Sequence, residues 1–189
     1  DVEIRLTGRN QIENAITALE VIRALRNQNV SIPDEAIYQG MRRTVWPGRF
    51  QVLEASPLVI VDGAHNEDAT RRLAENIQTY LQGRPIIGVM GVFKDKAYKT
   101  IIEIMQPYLE YVYTIDLPNK DRTLDRRELV RVLKAQGISA EDCESVEKAL
   151  RKAKKSAKDG QAVLVFGSLS YLGEVIRLEK EIESDRWKM

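Results

Sequence analysis

This 189-residue sequence predicts a doubly wound α/β fold, a mostly parallel sheet covered by helices on both faces, and three observations predict it. Short apolar runs, Leu58 to Val61, Pro85 to Met90, Tyr111 to Ile115 and Ala162 to Phe166, have the length and continuity of strands buried on both faces. Amphipathic segments of helical period separate them, and such β-α-β alternation requires right-handed crossovers and parallel neighbours. Phe50 to Ala55 and Leu58 to Val61 are β-prone runs parted by Ser56-Pro57, so a hairpin contributes one antiparallel strand.

In chain order, Val2 to Thr7 reads as a strand, and Gly8-Arg9-Asn10 then opens a helix. Its apolar residues Ile12, Ala15, Ile16, Leu19, Ile22 and Leu25 recur at three and four and predict one apolar face. Ser31-Ile32-Pro33-Asp34-Glu35 starts a second helix that continues to about Arg43, with acids in its first turn. Trp46-Pro47-Gly48 marks the change to the sheet. Helices are expected over Glu67 to Leu81, Ala97 to Met105, Asp125 to Ala135, Val146 to Ala157 and Ser170 to Glu183, with a weak extra strand at Ile138 to Glu141. The Lys-rich stretch from Lys148 to Lys158 keeps Leu150 and Ala153 at helical spacing, which makes it the solvated face of a surface helix rather than a nucleic-acid patch.

Length bounds the chain to one domain or slightly more, and 43% hydrophobic with 30% charged residues is an ordinary globular composition. Lys plus Arg is 29 against Asp plus Glu 28, a net charge of +1 that argues against a partner recognised by phosphate neutralisation, hence against nucleic acid, and against a membrane held by bulk charge. Cys143 is alone, which excludes an internal disulfide and a thiolate metal cluster within one chain and fits a reducing cytoplasm. Flanked by Asp142 and Glu144, its thiolate is disfavoured by charge. No apolar run approaches the ~18 to 20 residues of a membrane span, and Asp1 to Leu6 has no signal core. With Asp at its first position and no initiator Met, the chain is expected to be a piece of a longer protein.

Ligands of open parallel sheets bind outside the carboxyl ends of the strands, so chemistry is sought immediately after each apolar run. The first parallel strand runs into Asp62-Gly63-Ala64-His65-Asn66. Asp62 and His65 either project toward a ligand, with Asn66 capping the next helix, or order the turn and face solvent. In the first case, exchanging Asp62 for Asn should leave the fold nearly untouched. Gly91-Val92-Phe93-Lys94-Asp95-Lys96 follows the second strand, where Lys94 and Lys96 either meet an anion as point charges or form a solvated turn. Gly167-Ser168 follows the last strand, with Ser168 either presenting its hydroxyl or capping a helix. The chain has no G-x-G-x-x-G, which disfavours a nicotinamide-dependent oxidoreductase, no phosphate loop and no nucleophile elbow.

Gly8-x-x-Gln11-x-x-Asn14-Ala15, Trp46-Pro47-Gly48-Arg49-Phe50, Asp62-Gly63-Ala64-His65-Asn66 and Phe166-Gly167-Ser168 occur in this order at strand and helix ends. Together they resemble the C-terminal domain of the folylpolyglutamate synthase and dihydrofolate synthase family, within the Mur ligase superfamily. The resemblance runs from Gly8 to the final helix. It implies that residues 1–189 are a single Rossmann-like C-terminal domain of a monomeric enzyme whose N-terminal ATPase domain, absent here, carries the phosphate loop and the Mg2+ ligands. It implies ATP as cofactor, with Asn14 on the adenine side, Arg49 at the phosphates, Asp62 at the ribose and His65 at the same closure interface. Lys94, Lys96 and Ser168 match places where related ligases hold the incoming amino acid. The implied chemistry is amide formation between a folate γ-carboxylate and glutamate through an acyl phosphate. One departure is Asn10-Gln11, where the family often has His-Gln. A receiver-like phosphoacceptor domain, using Asp62, is the competing reading; it lacks an acidic pair for magnesium at a preceding strand end.

Overall fold

The computed structural model describes residues 2–186, with side chains described as far as residue 181. The chain divides into two compact units, Asp1–Arg49 and Phe50–Met189.

The first unit is a helical pair, α1 (Arg9–Asn27) and α2 (Asp34–Arg43). Gly8 precedes α1 at φ 114°, a backbone conformation that favours glycine. Asp34 and Glu35 in the first turn of α2 and Arg42 and Arg43 in its last turn complement the helix dipole. Arg26, near the end of α1, donates to the Ile32 carbonyl and to Asp34 Oδ1 at 2.6 Å, which joins the two helices. One expectation fails here. Val2 to Thr7 is irregular, because alternation alone makes no strand without a ladder partner and none lies beside it among the described residues. The helix α1 forms as predicted, but its apolar face is only half covered. Ala15, Leu19 and Ile22 are half-buried, whereas Ile12 and Ile16 are 54% and 55% exposed.

The second unit is a six-stranded sheet with the spatial order β1-β2-β6-β3-β4-β5. Its strands are β1 (Gln51–Ala55), β2 (Leu58–Val61), β3 (Ile86–Met90), β4 (Leu109–Thr114), β5 (Ser139–Asp142) and β6 (Ala162–Phe166). The hairpin pair β1/β2 is antiparallel and every other neighbouring pair is parallel, as the sequence predicts. Helices α3 (Glu67–Leu81), α4 (Tyr98–Met105), α5 (Arg126–Ala135), α6 (Val146–Ser156) and α7 (Leu172–Arg186) complete it, α7 preceded by a 3-10 turn over Leu169–Tyr171. No helix among the described residues is long and apolar enough to cross a membrane.

Strand alternation sends neighbouring side chains to opposite faces, and both faces are covered, so the strands read as continuous apolar runs. Ile60, Met90, Leu164 and Phe166 pack with Leu73 and Ile77 of α3, Ile101 and Met105 of α4, and Leu129 and Leu133 of α5. Val59, Val61, Val89, Val163 and Val165 pack on the other face with Ala149, Leu150 and Ala153 of α6 and Leu172 and Val175 of α7. The Lys-rich segment behaves as a surface helix: Lys148, Arg151 and Lys152 pair with Glu144, Glu147 and Glu141. Lys154 departs from this pattern. It turns inward to Glu54 on β1 at 2.5 Å and Glu179 on α7 at 2.8 Å, all three side chains being nearly buried.

The crossover from β5 through α6 returns β6 to the middle of the sheet, between β2 and β3. The exits of β2, β6 and β3 are therefore adjacent at one edge. This adjacency positions the candidate site.

Candidate functional site at the strand exits

At the exit of β2, Asp62 is buried, with 8% of its surface exposed. One carboxylate oxygen accepts the Phe50 N–H and the other the Ala64 N–H, each at 2.8 Å. The Asp62 N–H itself donates to the Val165 carbonyl of β6 at 2.9 Å. The carboxylate thus holds its own turn and the start of the hairpin, so the expectation that the fold would hardly notice its loss is corrected. His65 is half-buried, and its Nδ1 lies 2.8 Å from the Gly63 carbonyl oxygen, which can only accept. In the neutral ring the proton therefore sits on Nδ1 and the lone pair on Nε2. Asn66 caps α3 as predicted, its side-chain oxygen accepting the Ala69 N–H at 2.9 Å.

The exits of β3 and β6 are pressed together. Gly167 has φ 105°, and a Cβ there would stand 2.6 Å from the Gly91 carbonyl oxygen, so only glycine fits. A Cβ on Gly91 would meet Leu117 at 2.7 Å; its closest approach is to the β4 exit. Ser168 is 3% exposed and caps the 3-10 turn, accepting the Ser170 N–H at 3.2 Å, with its hydroxyl 2.9 Å from that of Ser170. Ser170 is exposed, so it is the hydroxyl that meets solvent at this turn. Tyr171 lies beneath, fully buried, its hydroxyl 2.6 Å from the Phe166 carbonyl oxygen and 3.1 Å from that of Val89. Burial pushes its phenol far above the ordinary range, so it serves as a fixed donor to the ends of both strands.

After β3, Lys94 is exposed and Lys96 half-buried. Asp95 between them takes a bidentate pair from Arg122, at 2.9 and 3.2 Å from one guanidinium nitrogen, and this hydrogen bonding holds its carboxyl below the usual range. Arg122 also lies over the Phe93 ring, 4.5 Å from its centroid. The loop after β4 was not flagged from sequence. The strand-exit rule applies to it equally, but its pairing with a loop about thirty residues earlier leaves no local signal.

In the helical unit, Asn14 lines an apolar cavity of about 330 Å³ together with Ile4, Ile22, Ile37 and Met41, its amide donating to Gln11 Oε1 at 3.1 Å. Arg49 is half-buried and its guanidinium makes no ion pair among the described residues, which leaves its donors open to an anion. No three His, Cys, Asp or Glu side chains converge to hold a metal ion among the described residues. Cys143 is buried, and desolvation, ahead of its charged neighbours, pushes the thiol up. A phosphoacceptor Asp62 is not supported, since both its oxygens are taken by backbone N–H groups.

These features define an open-sheet α/β domain with small polar and cationic groups gathered at the carboxyl edge of adjacent strands. The chain belongs to the Mur ligase family, glutamate ligase domain, which it matches over residues 48–169. It is 35% identical over 173 residues to the probable bifunctional folylpolyglutamate synthase/dihydropteroate synthase of Halobacterium salinarum, a match spanning 91% of this chain and 20% of that protein. It is 28% identical over 178 residues to the dihydrofolate synthase/folylpolyglutamate synthase of Bacillus subtilis, spanning 93% of this chain and 40% of that one. Among solved structures, E. coli FolC in complex with DHPP and ADP aligns with a TM-score of 0.81 at 27% identity, covering 98% of this chain and 41% of that chain. The bifunctional folylpolyglutamate synthase/dihydrofolate synthase of Yersinia pestis complexed with AMPPNP and Mn ion aligns with a TM-score of 0.78 at 30% identity, covering 94% and 40%. The chain spans less than half the length of each.

Proposed function

We propose that this chain is the glutamate-adding part of an ATP-dependent amide ligase that extends folate, with residues 50–189 as its ligase domain. The observation that carries it is the adjacency of three strand exits, bearing Asp62 to Asn66, Gly91 to Lys96 and Gly167 to Ser170, in a chain of this family. The named relatives make or extend folylpolyglutamate, and two of the solved ones hold ADP or AMPPNP.

Lys94 and Lys96 offer ammonium charges to the carboxylates of the incoming amino acid, and the Ser168–Ser170 hydroxyl pair offers a donor at the neighbouring β6 exit. Arg49 supplies a planar, permanently charged fork for phosphate oxygens, and Asn14 an amide edge for the base. Bound ATP supplies the phosphoryl group that activates the folate carboxylate. The residues of this chain position the amine for attack, neutralise the charge that accumulates and keep water away from the activated carboxylate. Asp62 holds the loop that carries His65, and His65 offers the Nε2 lone pair near the reacting amine. The phosphate loop and the magnesium ligands belong to a preceding domain, and the whole acts as a cytoplasmic monomer.

The test is glutamate- and folate-dependent ADP formation, with and without a preceding phosphate-loop domain. The chain alone should be silent and the joined enzyme active. Ligation by the chain alone, or a joined enzyme that turns over ATP without consuming glutamate, would overturn the reading.

A further inference from the structure

Two exposed loops leave β3 and β4, and they are zipped together. The Lys94 N–H donates to the Arg122 carbonyl at 2.8 Å, the Leu124 N–H to the Val92 carbonyl at 2.9 Å, and Phe93 and Thr123 form an antiparallel bridge. Arg122 then closes the zip with its side chain, forked onto Asp95 and stacked over Phe93. The second loop is itself braced, with the Thr123 hydroxyl accepting the Leu117 N–H at 2.8 Å and the Asn119 carbonyl accepting the Thr123 N–H at 2.9 Å.

An ion pair whose side chains are 50% and 47% exposed adds little to global stability. Its location is more telling. Asp95 lies between Lys94 and Lys96, and Lys96 Nζ is 3.9 Å from the same Asp95 oxygen. Fixing Asp95 therefore fixes the backbone from which both ammonium groups spring. A binding loop ordered in advance loses less freedom when its ligand arrives.

We infer that Arg122 is a positioning residue of the ligase site: through Asp95 and Phe93 it holds the β3 loop so that Lys94 and Lys96 meet the carboxylates of the incoming amino acid. This rests on the amino-acid role proposed above for the two lysines. Arg122 touches no substrate in this scheme and acts through the loop alone. The planar fork matters, because a lysine in its place keeps the charge but cannot bind Asp95 at two points.

The test uses the longer enzyme that contains this chain, comparing Arg122→Ala, Arg122→Lys, Asp95→Asn and Lys94→Ala. Amide hydrogen exchange is followed in peptides spanning residues 92–96 and 122–125, alongside steady-state kinetics. Arg122→Ala and Asp95→Asn should both speed exchange there. They should raise the KM for glutamate on the order of ten- to a hundredfold, with the KM for ATP and the melting temperature close to the parent's. Arg122→Lys should recover part of the loss. Unchanged exchange in Arg122→Ala would overturn the latch itself. Faster exchange with a parental glutamate KM, while Lys94→Ala raises it, would overturn the positioning role. A parental glutamate KM in Lys94→Ala would remove the amino-acid role of that lysine and the positioning role with it.

Discussion

At the scale of single residues, the structure separates groups that build the site from groups that face out of it. Asp62 builds: with its two oxygens on two backbone N–H groups, Asp62→Asn leaves one acceptor and turns an NH2 toward an N–H donor. Losing one charge-assisted bond of this kind costs about 1.5–3 kcal/mol, so thermal denaturation should show a clearly lower melting temperature. A parental melting temperature would contradict the observed role. Arg49 faces out. Arg49→Ala should shift stability by no more than about 1 kcal/mol, since no ion pair among the described residues is lost, yet lower turnover of the longer enzyme on the order of a hundredfold. Arg49→Lys should restore part of it; normal turnover in Arg49→Ala at saturating ATP would remove the phosphate assignment. Residue types at strand exits were legible in the sequence. The direction of each side chain was not, because Asp62 and Ser168 turn into the backbone, and that depends on neighbours from other strands.

At the scale of elements, α3 was legible to the residue, since Asn66 caps it and Leu73, Ile77 and Leu81 keep helical spacing. The strand at Val2 to Thr7 was misread because period-two alternation reports amphipathicity and says nothing of a partner. Lys154 was hidden inside a Lys-rich run. It is 12% exposed between Glu54 and Glu179, 14% and 7% exposed, and so fastens α6 to β1 and α7. Replacing a whole buried ionic cluster by apolar groups can be neutral, but removing one partner leaves uncompensated charge. Lys154→Met should therefore destabilise by about 3–5 kcal/mol, read from urea unfolding, because Glu54 and Glu179 both lose the ammonium they share. Adding Glu54→Gln and Glu179→Gln to it should recover much of that loss. A single variant within experimental error of the parent would show that the cluster is solvated in practice.

For the molecule as a whole, the parallel order and the single antiparallel hairpin were legible, because buried strands read as unbroken apolar runs and Ser56-Pro57 is a short turn. The division at Arg49 lies beside Trp46-Pro47-Gly48, where the sequence changes from helical to sheet texture, and it reflects which cores exist: both apolar clusters draw only on residue 50 onward. Titration should act on that second unit from both ends of the pH scale. Asp95, Asp125 and Glu144 are held below their ordinary values, by Arg122, by the Arg127 and Glu128 N–H groups and by Lys148 respectively. Their ionised forms favour the native state, so the stability they add is complete above their unfolded values, near pH 4, and disappears as pH falls through the lower native ones. The buried groups act oppositely. Desolvation raises Tyr171, Tyr111 and Cys143, which stay neutral in the native state while the unfolded chain ionises. Their contribution is whole below their unfolded values, about pH 8.5 for the thiol and about 10 for the phenols, and is lost as pH climbs from there toward the raised native values. Melting temperature should thus form a plateau between about pH 5 and 8, with a gradual acid limb and a steeper alkaline one led by Tyr171. Tyr171→Phe discriminates the cause. It should lower the plateau, since the Phe166 and Val89 carbonyls lose a donor, and it should also flatten the alkaline limb, since the largest buried phenol no longer titrates in the unfolded chain. An alkaline limb equally steep in Tyr171→Phe would assign it to other groups and would mean that the hydroxyl beneath the strand exits is not held neutral by the fold.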